Sequence, residues 1–374
     1  MDVLTGLPHY PEGVLHREYR FRPIMEESRL GARVVRTFEW PYRGESLLGR
    51  AINYLSFAAS AQLAFGRLAP PDVIYAYHPP ISVSLPAWAL AARFRRPFIY
   101  DVQDLWPEAG IAAGVLRPGL VYRALEGWAS KVYARATHIT VIADDFREQL
   151  INRGVPAQKI SVVPNGADET LYRPLNGREV RAQYGWRSNE FIVMYAGNFG
   201  ATHGVEVILE GARRCQHLPI KFVFVGTGPQ VPRLKNLAAE MRLANVSFLG
   251  YRPSQEVPFL FAAADLMLVH LRDGPHGAVS LPSRIAAYMA SGRPTLVAAR
   301  GAARNLIEAS GAGVSCDPDD PALLVSEILA LAVAPLRREA MSDCALKFYA
   351  AHLSAHSVIP SLIELIARVA QTNN

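Results

Sequence analysis

The sequence predicts an α/β protein built from two doubly wound parallel sheets, one in each half of the chain. Three observations carry this. Short apolar, β-rich runs alternate with stretches of helical periodicity along almost the whole length, the pattern of βαβ units. A polar, aperiodic stretch from Tyr172 to Arg187 interrupts the alternation once, near the middle. A length of 374 residues, half of them hydrophobic, suits two cores better than one. The expected division is 1–172, then 173–352, then a last helix, 353–374, packing back toward the first domain.

In the first half, Val3–Thr5 reads as a short strand, followed by a loop with Gly and Pro as far as Gly13. Arg33–Phe38 reads as another strand. An apolar helix near Leu47–Leu68 leads through Pro70-Pro71 to a strand, Asp72–Tyr77, which His78-Pro79-Pro80 breaks. Ser84–Phe94 is helical, Pro97–Asp101 a strand, Asp104–Glu108 a loop, and Val121–Ala134 a helix. His138–Ile142 is a strand and Asp144–Arg153 a helix. Ile160–Val163 is a strand that stops at Pro164-Asn165-Gly166.

In the second half, strands are expected at Phe191–Ala196, Ile220–Val225, Val246–Leu249, Leu266–Leu271, Thr295–Ala299 and Gly313–Cys316. Helices lie between most of them, which makes a second Rossmann-like sheet. Val325–Val333, Arg337–Ala350 and His356–Ala370 are helices.

The pivot is Phe191–Ala212. A β-rich run ends at Ala196, a loop with Gly197, Gly200 and Gly204 follows, and Val205, Ile208, Leu209 and Ala212 then recur at helical spacing. Small residues let a backbone approach a ligand, and a helix start offers unpaired N–H groups to an anion. Taken alone, the stretch also reads as an ordinary βα turn with no ligand.

Composition narrows the partners. Net charge is +6, which favours an anionic one. No basic tail or aromatic-studded basic ribbon is present, so nucleic acid is disfavoured. Cys215, Cys316 and Cys344 are scattered, with neither metal spacing nor a disulfide framework, as in a reducing cytosol. Met1–Gly6 does not read as a signal peptide. Within 47–68, the apolar stretch Ala51–Gly66 is too short and polar to span a bilayer. It reads as a domain helix or as a peripheral membrane contact. In the second reading Tyr54, Phe57 and Phe65 dip into the interface, and Arg50 and Arg67 meet headgroups, helped by Arg93, Arg95 and Arg96.

Ligands of open parallel sheets bind beyond the carboxyl ends of the strands. In the first half those ends carry His78, then Asp101 with Asp104 and Glu108, then Asn165-Gly166. In the second half they carry Gly197-Asn198-Phe199-Gly200, Gly226-Thr227-Gly228-Pro229, Gly250-Tyr251-Arg252-Pro253, and the run from His270 to Arg284. Two sheets with these edges turned toward a shared cleft would form one composite site. Each first-half carboxylate also reads as a loop cap or an ion-pair partner, and His78 as a satisfied strand-end histidine.

The ordered set of loops resembles glycosyltransferase family 4, of GT-B architecture. Ser161-Val-Val-Pro-Asn-Gly-Ala-Asp168 resembles its interdomain motif. Tyr195-Ala-Gly-Asn-Phe-Gly200, Val225-Gly-Thr-Gly-Pro229 and Phe248-Leu-Gly-Tyr251 resemble its nucleotide-site loops. Leu281-Pro-Ser-Arg-Ile285 with Tyr288-Met-Ala-Ser-Gly-Arg-Pro294 resembles its donor-phosphate helix. His78-Pro-Pro80 and Tyr100-Asp-Val-Gln-Asp-Leu-Trp-Pro-Glu108 resemble the subgroup that builds bacterial O-antigen and capsule repeats, including N-acetylfucosaminyl transferases.

The resemblance implies a nucleotide-diphosphate sugar donor, most often a uridine one, used without a metal and with retention at the anomeric carbon. It implies donor contacts from Gly197, Asn198, Phe199, Gly200, Gly228, Leu281, Pro282, Ser283 and Arg284, with Tyr251 and Arg252 flanking the base. Asp104, Asp101, Glu108 and His78 fall on the acceptor side. The acceptor is a glycan or a polyprenyl-diphosphate-linked one at the cytoplasmic membrane face. Three departures are visible. The family's two glutamates correspond to Val279 and Ala287 here. Asn198, Thr202 and His203 stand in a loop where many relatives are basic. The subgroup's first strand, glycine-rich loop and long helix would precede Val3–Gly6, so the expectation is an upstream start or a truncated relative. A non-catalytic scaffold and a sugar-nucleotide epimerase of the same architecture compete. A Rossmann dehydrogenase is disfavoured, since neither half shows Gly-x-Gly-x-x-Gly after a first strand with an acid at the next strand end.

Overall fold

A computed structural model describes residues 1–372 except 10–12, 43, 45, 113, 115, 275, 276 and 279. Val279 therefore lies outside the described residues. The chain divides into two units. Unit 1 comprises Met1–Ile142, Phe146–Val162 and the chain from Leu362; unit 2 comprises Ala143–Asp145 and Val163–Ser361.

Unit 1 contains two sheets. The first holds β1 (Asp2–Gly6), β2 (Ile24–Arg29) and β3 (Ala32–Thr37) in the order β1-β3-β2. The second holds β4 (Ile74–His78), β5 (Phe98–Val102), β6 (His138–Val141) and β7 (Ile160–Val162), in sequence order and all parallel.

Strand β2 departs from the purely parallel expectation. It runs antiparallel to β3. Its sequence, Ile-Met-Glu-Glu-Ser-Arg, hides its strand character because three of six residues are charged. Cross-strand pairing resolves this. Glu26 meets Arg33 at 2.8 Å and Glu27 meets Arg36 at 2.8 Å. Leu30 and Gly31, at φ +49° and +78°, close the hairpin in the left-handed region that two-residue loops favour.

The helix expected at Leu47–Leu68 ends at Leu63, and a short 3-10 turn, Phe65–Arg67, follows. Ser46 caps its start by accepting from the Gly49 amide at 3.1 Å. The loop expected at Asp104–Glu108 turns helical at its last residue, with Glu108–Ala112 forming a helix.

Unit 2 has one parallel sheet: β8 (Phe191–Ala196), β9 (Ile220–Val225), β10 (Val246–Gly250), β11 (Leu266–His270), β12 (Thr295–Ala298) and β13 (Gly313–Cys316). Their spatial order is β10-β9-β8-β11-β12-β13. Every residue of β8 and β11 is buried, as for a central parallel strand covered on both faces. The period of two sorts β8 between two cores. Ile192, Met194 and Ala196 enter one cluster, with Tyr288 and Met289; Phe191, Val193 and Tyr195 enter the other, with Ile208 and Leu209. The helix Val205–Arg214 turns Val205, Ile208, Leu209 and Ala212 inward, the set that its spacing predicts.

The strand order reverses between β8 and β11. From β8 the chain steps outward through β9 and β10, then returns to lay β11 on the other side of β8. That is a topological switch point, where the loops leaving adjacent strand ends diverge and leave a crevice.

Candidate active site

Unit 2 brings the second-half loops together at this switch point. The loops after β8, β9 and β10 are hydrogen-bonded in series. The Gly197 amide donates to the Val225 carbonyl at 2.9 Å, the Phe199 amide to Thr227 at 3.0 Å, and the Gly226 amide to Gly250 at 2.8 Å. The fit is backbone against backbone. A Cβ at Gly226, which sits at φ +127°, would lie 2.0 Å from the Gly197 carbonyl oxygen, so only glycine is accommodated. This series consumes amides that the sequence reading assigned to a ligand. The amides of Asn198 and Gly200 remain without an acceptor among the described residues.

The loop after β11 joins the same cluster. The Arg272 amide donates to the Thr202 carbonyl at 2.9 Å. His270, wholly buried at the end of an otherwise apolar strand, pairs Nδ1 with the His203 carbonyl at 2.9 Å, and its Nε2 accepts from the Asp319 amide at 3.4 Å. Burial lowers its pKa, and these two bonds suit the neutral ring. The Arg272 guanidinium pairs with Glu206.

Arg284 stands at the centre. It begins the helix Arg284–Ala290, and its Nη1 donates to the Ala196 carbonyl at 3.1 Å. Its Nη2 lies 3.3 Å from His203 Nδ1, and its guanidinium carbon 4.8 Å from the Tyr195 ring centre. A Cβ on Gly197 would come within 2.6 Å of Nη1, so the glycine is what admits this arginine. Tyr288 completes the anchor. Its hydroxyl donates to the Ala196 carbonyl at 3.0 Å and accepts from the Ala196 amide at 3.2 Å. Ser283 makes no side-chain cap, and the Ile285 and Ala286 amides donate back to Pro282 and Ser283. The arginine, more than the helix start, is therefore the cationic element here.

The other second-half candidates divide by orientation. Asn198 is exposed, and its carbonyl accepts from the Tyr195 hydroxyl at 2.8 Å. Phe199 is turned into the core at 1 % exposure, between Tyr195 and Phe224, so only its backbone faces the loop cluster. A Cβ on Gly228 would meet the Phe199 backbone nitrogen at 2.5 Å. Leu281 packs against the core and Ser283 is exposed; Pro282 is half-buried. Tyr251 is 66 % exposed, and Arg252 lies 5.9 Å from the Tyr184 ring, itself stacked on Trp186. A cavity of about 150 Å³ beside Gly200, Glu206, Gln230 and Arg272 is small for a nucleotide sugar.

In unit 1 the candidates do not share one environment. His78, the last residue of β4, is 1 % exposed beside the Tyr100 ring, with centres 5.4 Å apart. Burial takes its pKa down to about 3, which keeps it neutral. Asp101 is held inside β5. It accepts from Thr140 Oγ1 at 2.8 Å and Gln103 Nε2 at 2.9 Å. Glu108 is an ion-pair partner, 2.7 Å from Arg153 Nη2. Asp104 differs from all three. It follows β5 in the loop, has no hydrogen-bond or ion-pair partner among the described residues, and burial lifts its pKa to about 6. That is the range of a carboxyl able to exchange protons near neutrality.

The sequence reading placed His270 in a strand-end run and Tyr288 in a helix motif but gave neither a role of its own. A histidine closing the apolar run Leu266–Val269 is the signal for the first. For Tyr288, the signal is a lone hydroxyl among Ile285, Ala286, Ala287, Met289 and Ala290, all of them buried.

A family model described as "Glycosyl transferase 4-like domain" matches residues 1–166, and "Glycosyl transferases group 1" matches 176–348. The probable glycosyltransferase WbjE of Pseudomonas aeruginosa is 27 % identical over 312 residues, covering 80 % of this chain and 77 % of the relative. The putative colanic acid biosynthesis glycosyl transferase WcaI of Escherichia coli is 26 % identical over 306 residues, covering 79 % of this chain and 74 % of the relative. Among solved structures, HepE of Anabaena in complex with UDP-glucose superposes with a TM-score of 0.71 at 21 % identity, covering 90 % of this chain and 86 % of that one. The GT-B fold is thereby shown.

Proposed function

We propose that this chain, a glycosyltransferase of the GT4 type, moves a sugar from a uridine diphosphate donor to a growing glycan or polyprenyl-diphosphate-linked acceptor in surface polysaccharide assembly. The observation that carries the donor half is Arg284, held against the end of β8 at the switch point of unit 2. An arginine there, beside the uncommitted amides of Asn198 and Gly200, suits a diphosphate. The colanic acid relative and the UDP-glucose complex of HepE support the polysaccharide and uridine parts of the reading.

In this reading the bond between the anomeric carbon and the phosphate oxygen breaks, and the acceptor oxygen forms the new glycosidic bond on the same face. The phosphate oxygen that leaves takes the acceptor's proton. Arg284 and the Asn198 and Gly200 amides stabilise the charge that grows on it. Tyr195, Tyr288 and His270 position that arginine and the loop that carries the two amides. Tyr251 lies along the base. No metal takes part in this proposal.

One observation favours a second reading, a sugar-nucleotide-binding relative without turnover. Ala287 is buried in the core and offers no acceptor to a ribose. Release of nucleoside diphosphate from a panel of sugar nucleotides, with and without a lipid-linked glycan acceptor, separates the readings. Transfer predicts release that requires acceptor. Binding without release favours the second reading, and donor conversion without acceptor points to an epimerase.

A further inference from the structure

The helix Leu47–Leu63 carries an apolar stripe that unit 1 leaves uncovered. Leu48, Ile52, Leu55 and Leu63 are exposed, Leu48 at 71 % and Leu63 at 76 %. At about 100° per residue these positions and Ala59 fall on one side of the helix. The opposite side is the one the fold uses, with Asn53, Ala58 and Ala61 buried and the Asn53 amide donating to the Trp40 carbonyl at 2.6 Å. Beside the stripe runs an open groove of about 590 Å³, where Leu55 and Ala59 face Leu85, Trp88, Ala89 and Ala92 of the helix Ser84–Phe94. Single exposed leucines need no explanation; four in register beside an apolar groove do.

The charge along this part of the sequence is nearly of one sign. From Ser46 to Tyr100 the sequence holds Arg50, Arg67, Arg93, Arg95 and Arg96 against the single acid Asp72. Arg67 is drawn into an ion pair with Glu26 at 3.4 Å. Arg93 and Arg95 are exposed and without a carboxylate partner among the described residues. Arg135 lies 4.8 Å from the ring of Trp88 on the groove wall, so a cation covers that indole. A second copy docked face to face by a twofold axis would set these arginines against one another. An apolar ridge bordered by unpaired arginines instead matches a surface that is anionic at its headgroups and apolar beneath them.

We propose that this face seats unit 1 on an anionic bilayer surface. Leu48, Ile52, Leu55 and Leu63 enter the acyl boundary, and Arg93, Arg95 and Arg96 meet headgroup phosphates. The residues differ from those the sequence suggested. Phe65 is buried at 8 % exposure, Tyr54 and Phe57 are half-buried, and Arg67 is paired, so the leucines and the second helix take their place. The inference is independent of the glycosyl-transfer reading.

Flotation with phosphatidylcholine vesicles, with and without phosphatidylglycerol, tests it. The wild type floats with the anionic vesicles. Leu48→Glu/Leu55→Glu and Arg93→Glu/Arg95→Glu each lower partitioning about tenfold or more, the arginine part weakening with salt. Thermal unfolding monitors folding, and Leu63→Gln serves should the leucine pair not fold. Three results overturn the proposal: a wild type that stays unbound, variants that float like the wild type, or a dimer that the leucine variant turns to monomer while vesicle binding is absent.

Discussion

Replacing Arg284 with alanine separates a ligand-binding arginine from a merely structural one, because the structure sets different magnitudes for the two roles. The Ala196 carbonyl that Nη1 contacts also accepts from the Tyr288 hydroxyl at 3.0 Å. Removing the arginine therefore leaves no orphaned carbonyl. What is lost in the free protein is that hydrogen bond, the contact of Nη2 with His203 Nδ1 and the contact with the Tyr195 ring, together about 2 kcal/mol. Thermal unfolding should fall by a few degrees only. The bound state loses more. Charge-assisted bonds to phosphate contribute about 2 kcal/mol, so UDP affinity measured by calorimetry should drop about thirtyfold. Arg284→Lys, which keeps the charge without the planar fork, should recover part of the affinity. A UDP affinity within about threefold of the wild type in a folded Arg284→Ala protein would remove Arg284 from the phosphate site.

Two further outcomes follow from the geometry. Burial raises the Asp104 pKa from 3.8 to about 6, so the folded chain holds this proton more tightly than the unfolded one, and Asp104 costs stability as pH rises from about 4 through 6. Asp104→Asn should therefore raise the unfolding midpoint above pH 7 and change it little near pH 4; equal shifts at both would refute the assignment. Gly226→Ala forces a Cβ to 2.0 Å from the Gly197 carbonyl and should cost about 3 kcal/mol or more in urea unfolding, with loss of UDP binding; a near-neutral variant would mean that the two loops are not locked together.

The architecture of unit 2 was legible because its central strands are continuous apolar runs and its helices keep a clean stripe. Val205, Ile208, Leu209 and Ala212 declare their face by spacing alone. Strand β2 was not legible, since its strand character rests on Glu26 and Glu27 finding Arg33 and Arg36 across a hairpin. Within the site, the strand-end position of each loop could be read, but not which groups the fold keeps for itself. Phe199 looks like a loop aromatic and packs as a core residue, and Glu108 looks like an active-site carboxylate and pairs with Arg153. The anchor of Arg284 joins residues about half a domain apart in sequence, Tyr195 and Tyr288, and no local pattern announces it.

The central claim is that the switch-point loops of unit 2 hold the donor's diphosphate. Hydrogen–deuterium exchange on the whole protein, with and without UDP, tests it most directly. The account predicts slowed exchange in the segments 197–203 and 281–285, with Asn198 and Gly200 among the amides protected. Unchanged exchange there under saturating UDP, with protection in some other part of the chain, would contradict it.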